Sequence, residues 1–310
     1  MIYYPILRGR QNELLAIKEL LRNDKLSKNI IPVIEPVKLS PTLIGTLSMF
    51  NEKNRSIFLV KNPQVGSFFT DAKNPKNEKY LIQLNPILEK PDLFIKHALY
   101  MVPSSTQELK KYIDYNISMR DIIPILSNPD EIDLFNQYFT SPDTKVILPF
   151  APGFRRIKSK KIYIDDKFIK QPRNSDYSKN EDEFFSDDFL YDDYYGFSDY
   201  SVIGKEYSDS GFAPHAVAIH IVYFDKDHTL RIHHFVSDDN DDVSDTAGKL
   251  YQATTKLHNW NLNQKLDTIA IKQFEKIYED ESYPGLGIIK KLSIMHHLEL
   301  IGKFLDGEEQ

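Results

Sequence analysis

The sequence predicts a (β/α)8 TIM-barrel-like fold, distorted or open at some strands, and three observations lead there. Proline-centred apolar runs recur: "YYPILRGR" around Pro5, "IIPVIEPVK" around Pro32 and "DIIPILSNP" around Pro124. Each precedes a stretch of helical periodicity, so the repeated unit is a strand followed by a helix. At 310 residues the chain has a size that such barrels reach as one domain.

The elements follow in order. "RQNELLAIKELL" is an amphipathic helix after the first run. After the second run, Ser40 is placed to cap a helix and Pro41 suits its first position, with Leu43, Ile44, Leu47 and Phe50 on the apolar face. Asn128, Pro129 and Glu131 repeat that arrangement, while Ser105 and Glu108 are spaced as a capping box. Further strands are expected at 56–62, 93–102 and 144–150, with "KKIYIDDKFI" and "YYGFSDYSVIG" supplying the last two. The prolines should mark strand starts, because a residue without an N–H cannot donate to a sheet ladder.

Residues 1–310 therefore read as a single barrel-like domain with appendages. Residues 173–195 interleave acids with aromatics and show neither period, so they are expected to form a poorly packed insertion or lid. Residues 216–236 read as a β-hairpin turning at Asp225 to Thr229, and 243–306 as a helical C-terminal part.

Composition narrows the function classes. The chain is 41% apolar and holds 19 Phe and 18 Tyr, enough for a substantial core. With 39 Lys and Arg against 45 Asp and Glu, the net charge of −6 gives no global attraction to nucleic acid, so any such binding must be local. The absence of cysteine excludes disulfides, thiol nucleophiles and cysteine-ligated zinc. No signal-peptide pattern or bilayer-length apolar run is present, which leads to the expectation of a cytoplasmic protein without a membrane partner.

Barrel chemistry belongs at the C-terminal ends of the strands. The side chains expected there are Arg8 and Arg10 after the first strand, Glu35 and Lys38 after the second, Lys61 and Asn62 after the third, and Asp199 and Tyr200 late in the chain. Arg8, Arg10, Lys38 and Lys61 would hold a phosphate or carboxylate group, and Glu35 or Asp199 would move a proton. Ion pairs that brace loops would use the same residue types. If the six converge, Arg8→Ala and Glu35→Gln should remove activity while leaving stability nearly unchanged. No metal site is expected: His233 and His234 point to opposite faces of a strand, and "SDDNDDVSD" lacks the glycine and distal glutamate of a calcium loop. No cofactor signature is present, and the cofactor stays unassigned.

The segments "YYPILRGRQNELLAIKELL", "IIPVIEPVK", "FSDYS", "AVAIHIVYF" and "LRIHHF" resemble the beta-family proteins of prokaryotes and phages. They are most similar to a bacterial branch encoded beside a small nuclease-like gene in defence-associated regions. That resemblance implies a barrel-like fold and a role in an anti-phage or toxin-inhibitor module, as an interaction subunit for the nuclease-like partner. It assigns no catalytic residue. The alternative is a barrel enzyme of phosphodiesterase or hydrolase type, acting on a phosphate-bearing or nucleotide substrate at the barrel mouth.

Overall fold

The computed structural model describes residues 1–89, 91–190, 193–208, 215–238 and 240–308. The chain divides into two compact units where the sequence suggests one: residues 1–14, 28–165 and 188–200 form the first, and 15–27, 166–187 and 201–310 the second.

The first unit is a layered α/β structure. Its strands and helices begin with β1 (Ile2–Tyr3), β2 (Ile6–Leu7), α1 (Gln11–Arg22, shared with the second unit), β3 (Val33–Ile34), α2 (Pro41–Glu52) and β4 (Ile57–Val60). They continue with α3 (Phe68–Ala72), α4 (Glu78–Glu89), β5 (Ile95–Tyr100), α5 (Thr106–Asp114), β6 (Ile122–Ile125) and α6 (Ile132–Tyr138). Next come β7 (Lys145–Pro149) and β8 (Lys160–Ile164), then β9 (Asp182–Ser186) in the second unit, and β10 (Gly196–Ser198) back in the first. The strands of the first unit form one curled, all-parallel sheet of nine, ordered β1-β10-β8-β7-β6-β5-β4-β3-β2.

Strands β1 and β2 stand at opposite ends of that order although only Tyr4 and Pro5 separate them. The run is hydrogen-bonded on both flanks. On one side Tyr4 N donates to Phe197 O (2.8 Å) and Ile6 N to Asp199 O (2.9 Å); on the other, Tyr3 N donates to Asn29 O (2.8 Å) and Val33 N to Pro5 O (2.9 Å). Gly196 lies opposite Ile2, where a Cβ would run into the Ile2 carbonyl and the Tyr4 ring.

The prolines meet the expectation that they begin strands at two of three positions. Pro5 and Pro32 immediately precede β2 and β3, but Pro124 lies inside β6. Backbone donors alternate sides along a strand. Leu126 N reaches Ile147 O on β7, so residue 124 would donate to the same neighbour, and its missing N–H leaves β6 and β7 with the single register pair Ile125↔Ile147. Pro5 and Pro32 share a level, because Ile6 pairs with Val33. Pro124 is level with Leu99 instead, further along the sheet.

Side chains alternate between two apolar layers. Tyr4, Ile6, Val33, Phe58, Val60, Ala98, Tyr100, Ile123, Ile125, Ile147, Ile162, Ile164 and Tyr200 pack together on the inner face. Leu99, Leu126, Val146 and Leu148 pack on the other with Leu109, Tyr112, Ile132 and Phe135 from the helices. Helix starts follow the local chemistry. Ser40 accepts from Leu43 N (3.2 Å), and Asn128 accepts from Asp130 N (2.9 Å) while Glu131 accepts from Ser127 N (2.6 Å). Ser105 does not cap: its hydroxyl donates back to Val102 O (2.6 Å).

In the second unit, β9, β11 (Ala218–Phe224) and β12 (Leu230–Val236) form an antiparallel sheet in the order β11-β12-β9. The helices α7 (Thr246–Gln264), α8 (Ile269–Glu279) and α9 (Leu286–Leu305) complete it. The hairpin closes through Asp225 N to Thr229 O (2.9 Å). The acidic segment is built in rather than loose, since it supplies β9 and buries Tyr177 and Phe185. Its acids are used: Asp182 accepts from Tyr223 Oη (2.7 Å) and Arg231 Nε (2.6 Å). The acidic turn before α7 ends in Asp245, which caps Gly248 N (2.9 Å).

Candidate functional site

Four strands of the first unit deliver side chains to one place beyond their C-terminal ends. Arg8 follows β2, Glu35 follows β3, Tyr100 ends β5, and Tyr200 follows β10. The backbone turns out of β2 at Gly9, whose φ of +63° suits glycine and where a Cβ would press on the Glu35 carbonyl and Pro36. This turn leaves Arg8 facing inward beside Glu35.

The two form a buried ion pair through Arg8 Nη1 and Glu35 Oε2, with Arg8 8% exposed and Glu35 fully buried. Glu35 Oε2 also accepts from Tyr100 Oη (3.0 Å), and Oε1 accepts from Gln64 N (2.7 Å). A carboxylate taken out of water needs such partners. The Arg8 guanidinium lies over the Tyr200 ring, 5.1 Å from its centroid. Burial works against the Arg8 charge, but Glu35 and the two tyrosines prevail and its pKa rises. Burial, then Glu35, pushes the Tyr100 hydroxyl well above its ordinary value, so it remains a donor. Asn62 fixes Tyr100 by a two-way bond with its backbone, donating to O (2.9 Å) and accepting from N (2.9 Å).

The other expected residues lie elsewhere. Asp199 is adjacent to the inward-facing Tyr200 and so takes the opposite face, where it accepts from the Tyr3 hydroxyl. Burial, then Asp199, pushes that hydroxyl well up. Lys61 likewise alternates with Val60 and Asn62. Its ammonium donates to Leu88 O near the end of α4, a helix terminus that favours a cation, and burial depresses its pKa. Lys38 is exposed and Arg10 half-buried at the start of α1. Of the six side chains expected to share a cavity, Arg8 and Glu35 are in contact, while Asp199 bonds to Tyr3 and Lys61 to Leu88 O.

Tyr100 and Gln64 join the site without having been candidates, while Asn62, expected at the end of the third strand, is there. Alternation could have found Tyr100, since Ala98 and Tyr100 share a face. Gln64 enters through its backbone N–H, which no side-chain pattern signals. Among the described residues, no group of three or more His, Asp or Glu is arranged to hold a metal ion. Among the same residues, no helix is long and apolar enough to cross a membrane. No family model, curated protein or solved structure matches the chain.

Proposed function

We propose that the first unit is a closed, irregular eight-strand (β/α)8-type barrel whose C-terminal mouth binds a small phosphate- or carboxylate-bearing ligand on Arg8. Counting β1 and β2 as one strand broken at Pro5 turns nine strands into eight, and the hydrogen bonds on both flanks of that strand support closure. The observation that carries the ligand reading is the Arg8–Glu35 pair at the strand ends where barrel sites lie. Glu35, with its three donors, fixes one edge of the guanidinium. A guanidinium carries five N–H donors in a planar fork that matches carboxylate and phosphate oxygens. The reaction class that fits is hydrolysis or transfer at a phosphate-bearing substrate, with Arg8 stabilising charge on the reacting oxygens.

Arg8→Lys is the informative variant because it keeps the charge beside Glu35 while removing the fork. In calorimetric titrations with inorganic phosphate, AMP and citrate, the wild-type protein should bind at least one saturably. Arg8→Lys should weaken that binding about tenfold or more, with an unchanged circular dichroism spectrum. Equal affinity in the variant, or no saturable binding of any of the three, contradicts the reading.

The role implied by the family resemblance, an interaction subunit for a nuclease-like partner in a defence or toxin-inhibitor module, draws no support from the acidic segment. Asp182 is bonded to Arg231 and Tyr223, Glu183 lies 3.2 Å from His234, and Asp176 pairs with Lys179 (2.6 Å).

A further inference from the structure

A cavity of about 240 Å³ lies wholly within the second unit, and its walls hold titratable groups that the barrel-mouth reading does not use. His220 lines it from β11. Antiparallel pairing sets His220 opposite His234 on β12, and their Nδ1 atoms are 2.8 Å apart. His234 Nε2 is 3.2 Å from Glu183 Oε1 on β9. Three strands therefore align a carboxylate and two imidazoles in a row that ends at the cavity.

The row fixes the tautomers. A carboxylate only accepts, so His234 Nε2 carries the proton and donates to Glu183. Neutral His234 then accepts at Nδ1, which makes His220 the donor through Nδ1–H. The nitrogen of His220 that remains for a ligand is Nε2, with its lone pair. Tyr177 packs against both rings, at 4.6 and 4.7 Å, and Phe168 sits 5.0 Å from His220. Burial above all, then His234 and Lys290, keeps His220 well below its ordinary pKa, hence neutral, with Nε2 a hydrogen-bond acceptor.

The rest of the wall chooses the ligand. Lys290 brings a charge that His220 senses, Lys170 lines the wall with its ammonium 4.0 Å from Glu206 Oε2, and Ser293 adds a hydroxyl-bearing side chain. Asn174 spends its amide N–H on Ala216 O (2.8 Å). Phe168, Ile203 and Ile289 make an apolar side. Cavities of ~150 Å³ accept benzene, so this one has room for a single ring with an anionic substituent and is small for a nucleotide.

We propose that this cavity is a second site, which binds a small organic anion with an apolar body and orients it through a hydrogen bond accepted at His220 Nε2. No proton changes hands, and the ring stays neutral. His220 keeps its Nδ1–H on His234, which Glu183 holds in place. The site shares no residue with the Arg8–Glu35 cluster, so either can fail without the other.

Benzoate, phenyl phosphate and the neutral benzyl alcohol serve as probes, followed by calorimetry and by nitrogen-15 spectra of the histidine rings. Benzoate or phenyl phosphate should bind saturably, and the better of the two tells carboxylate from phosphate. Benzyl alcohol should bind about tenfold more weakly or worse, and Lys290→Met should cost the anion a similar factor. The spectra should show His220 as the Nδ1–H tautomer, with Nε2 shifting on anion addition. The wild-type comparison of charged and neutral probes needs no variant to fold. Equal binding of anion and alcohol, no binding of either anion, or an unresponsive His220 Nε2 overturns the proposal.

Discussion

Lowering the pH from 7 to 5 is expected to remove about 6 kcal/mol of stability through three buried histidines alone. Burial holds His97 and His296 down to about 4 and His297 to about 3, against an ordinary value of 6.5. Each is bonded as a neutral ring. His97 has Ile87 O at 2.6 Å from Nε2 and the Tyr112 hydroxyl at 2.8 Å from Nδ1, His296 has Val222 O at 2.7 Å and Thr268 Oγ1 at 2.8 Å, and His297 has Ser201 Oγ at 2.8 Å. The unfolded chain protonates these rings as the pH falls through about 6.5, while the native chain does not until about 4 or 3. Their contribution is therefore present in full above 6.5 and declines below it by about 1.4 kcal/mol per pH unit for each ring. Three rings over about 1.5 units give the stated loss, comparable with the whole stability of many domains. Glu299 and Glu131, whose carboxyls burial pushes up, offset part of it at lower pH. Melting temperature measured from pH 8 to pH 5 should be flat at first and then fall steeply below 6.5. A flat profile down to pH 5 contradicts the burial of these rings as neutral species.

The second large effect concerns the buried ion pair beyond the C-terminal ends of the strands. Arg8→Met leaves Glu35 buried without its counter-charge, and Glu35→Gln leaves the guanidinium in the same position. Each single change should cost about 3–5 kcal/mol in urea unfolding. The double variant should recover about 2 kcal/mol of the summed cost, because the two changes remove one interaction. Singles costing under about 1 kcal/mol would mean that water reaches the pair. From sequence, such variants spare stability if the six side chains converge and cost it if they brace loops; burial of Arg8 and Glu35 leads to the cost, because an exposed pair is cheap to break and a buried one is not.

This outcome shows where the sequence was informative. Apolar alternation and capping chemistry are local, so the strand–helix repeat, the cap at Ser40 and the hairpin at 216–236 could be read from the residues. Facing direction needs register. Strand ends placed Asp199 and Lys61 near Arg8, but one residue of parity turns Asp199 to Tyr3 and Lys61 to the end of α4. Histidine row membership was also within reach, since a hairpin turning about residue 227 sets 220 opposite 234. The segment 173–195 defeated pattern reading for a physical reason. Its strand is held by partners some 50 residues away, such as Arg231 for Asp182, and its own period is masked by acids that serve as hydrogen-bond acceptors.

Closure of the sheet is the claim on which the mouth and its ligand depend, and amide hydrogen exchange along residues 3–6 tests it most directly. Tyr4 and Ile6 donate to β10 and the residue that follows it, while Tyr3 donates to Asn29 on the opposite flank. A closed barrel predicts protection of all three amides at the level of Phe58 and Met101, whose N–H groups bond within the sheet. Rapid exchange at Tyr4 and Ile6 with protection at Tyr3, or the reverse, would describe a sheet open on one side of the first strand and would contradict the account.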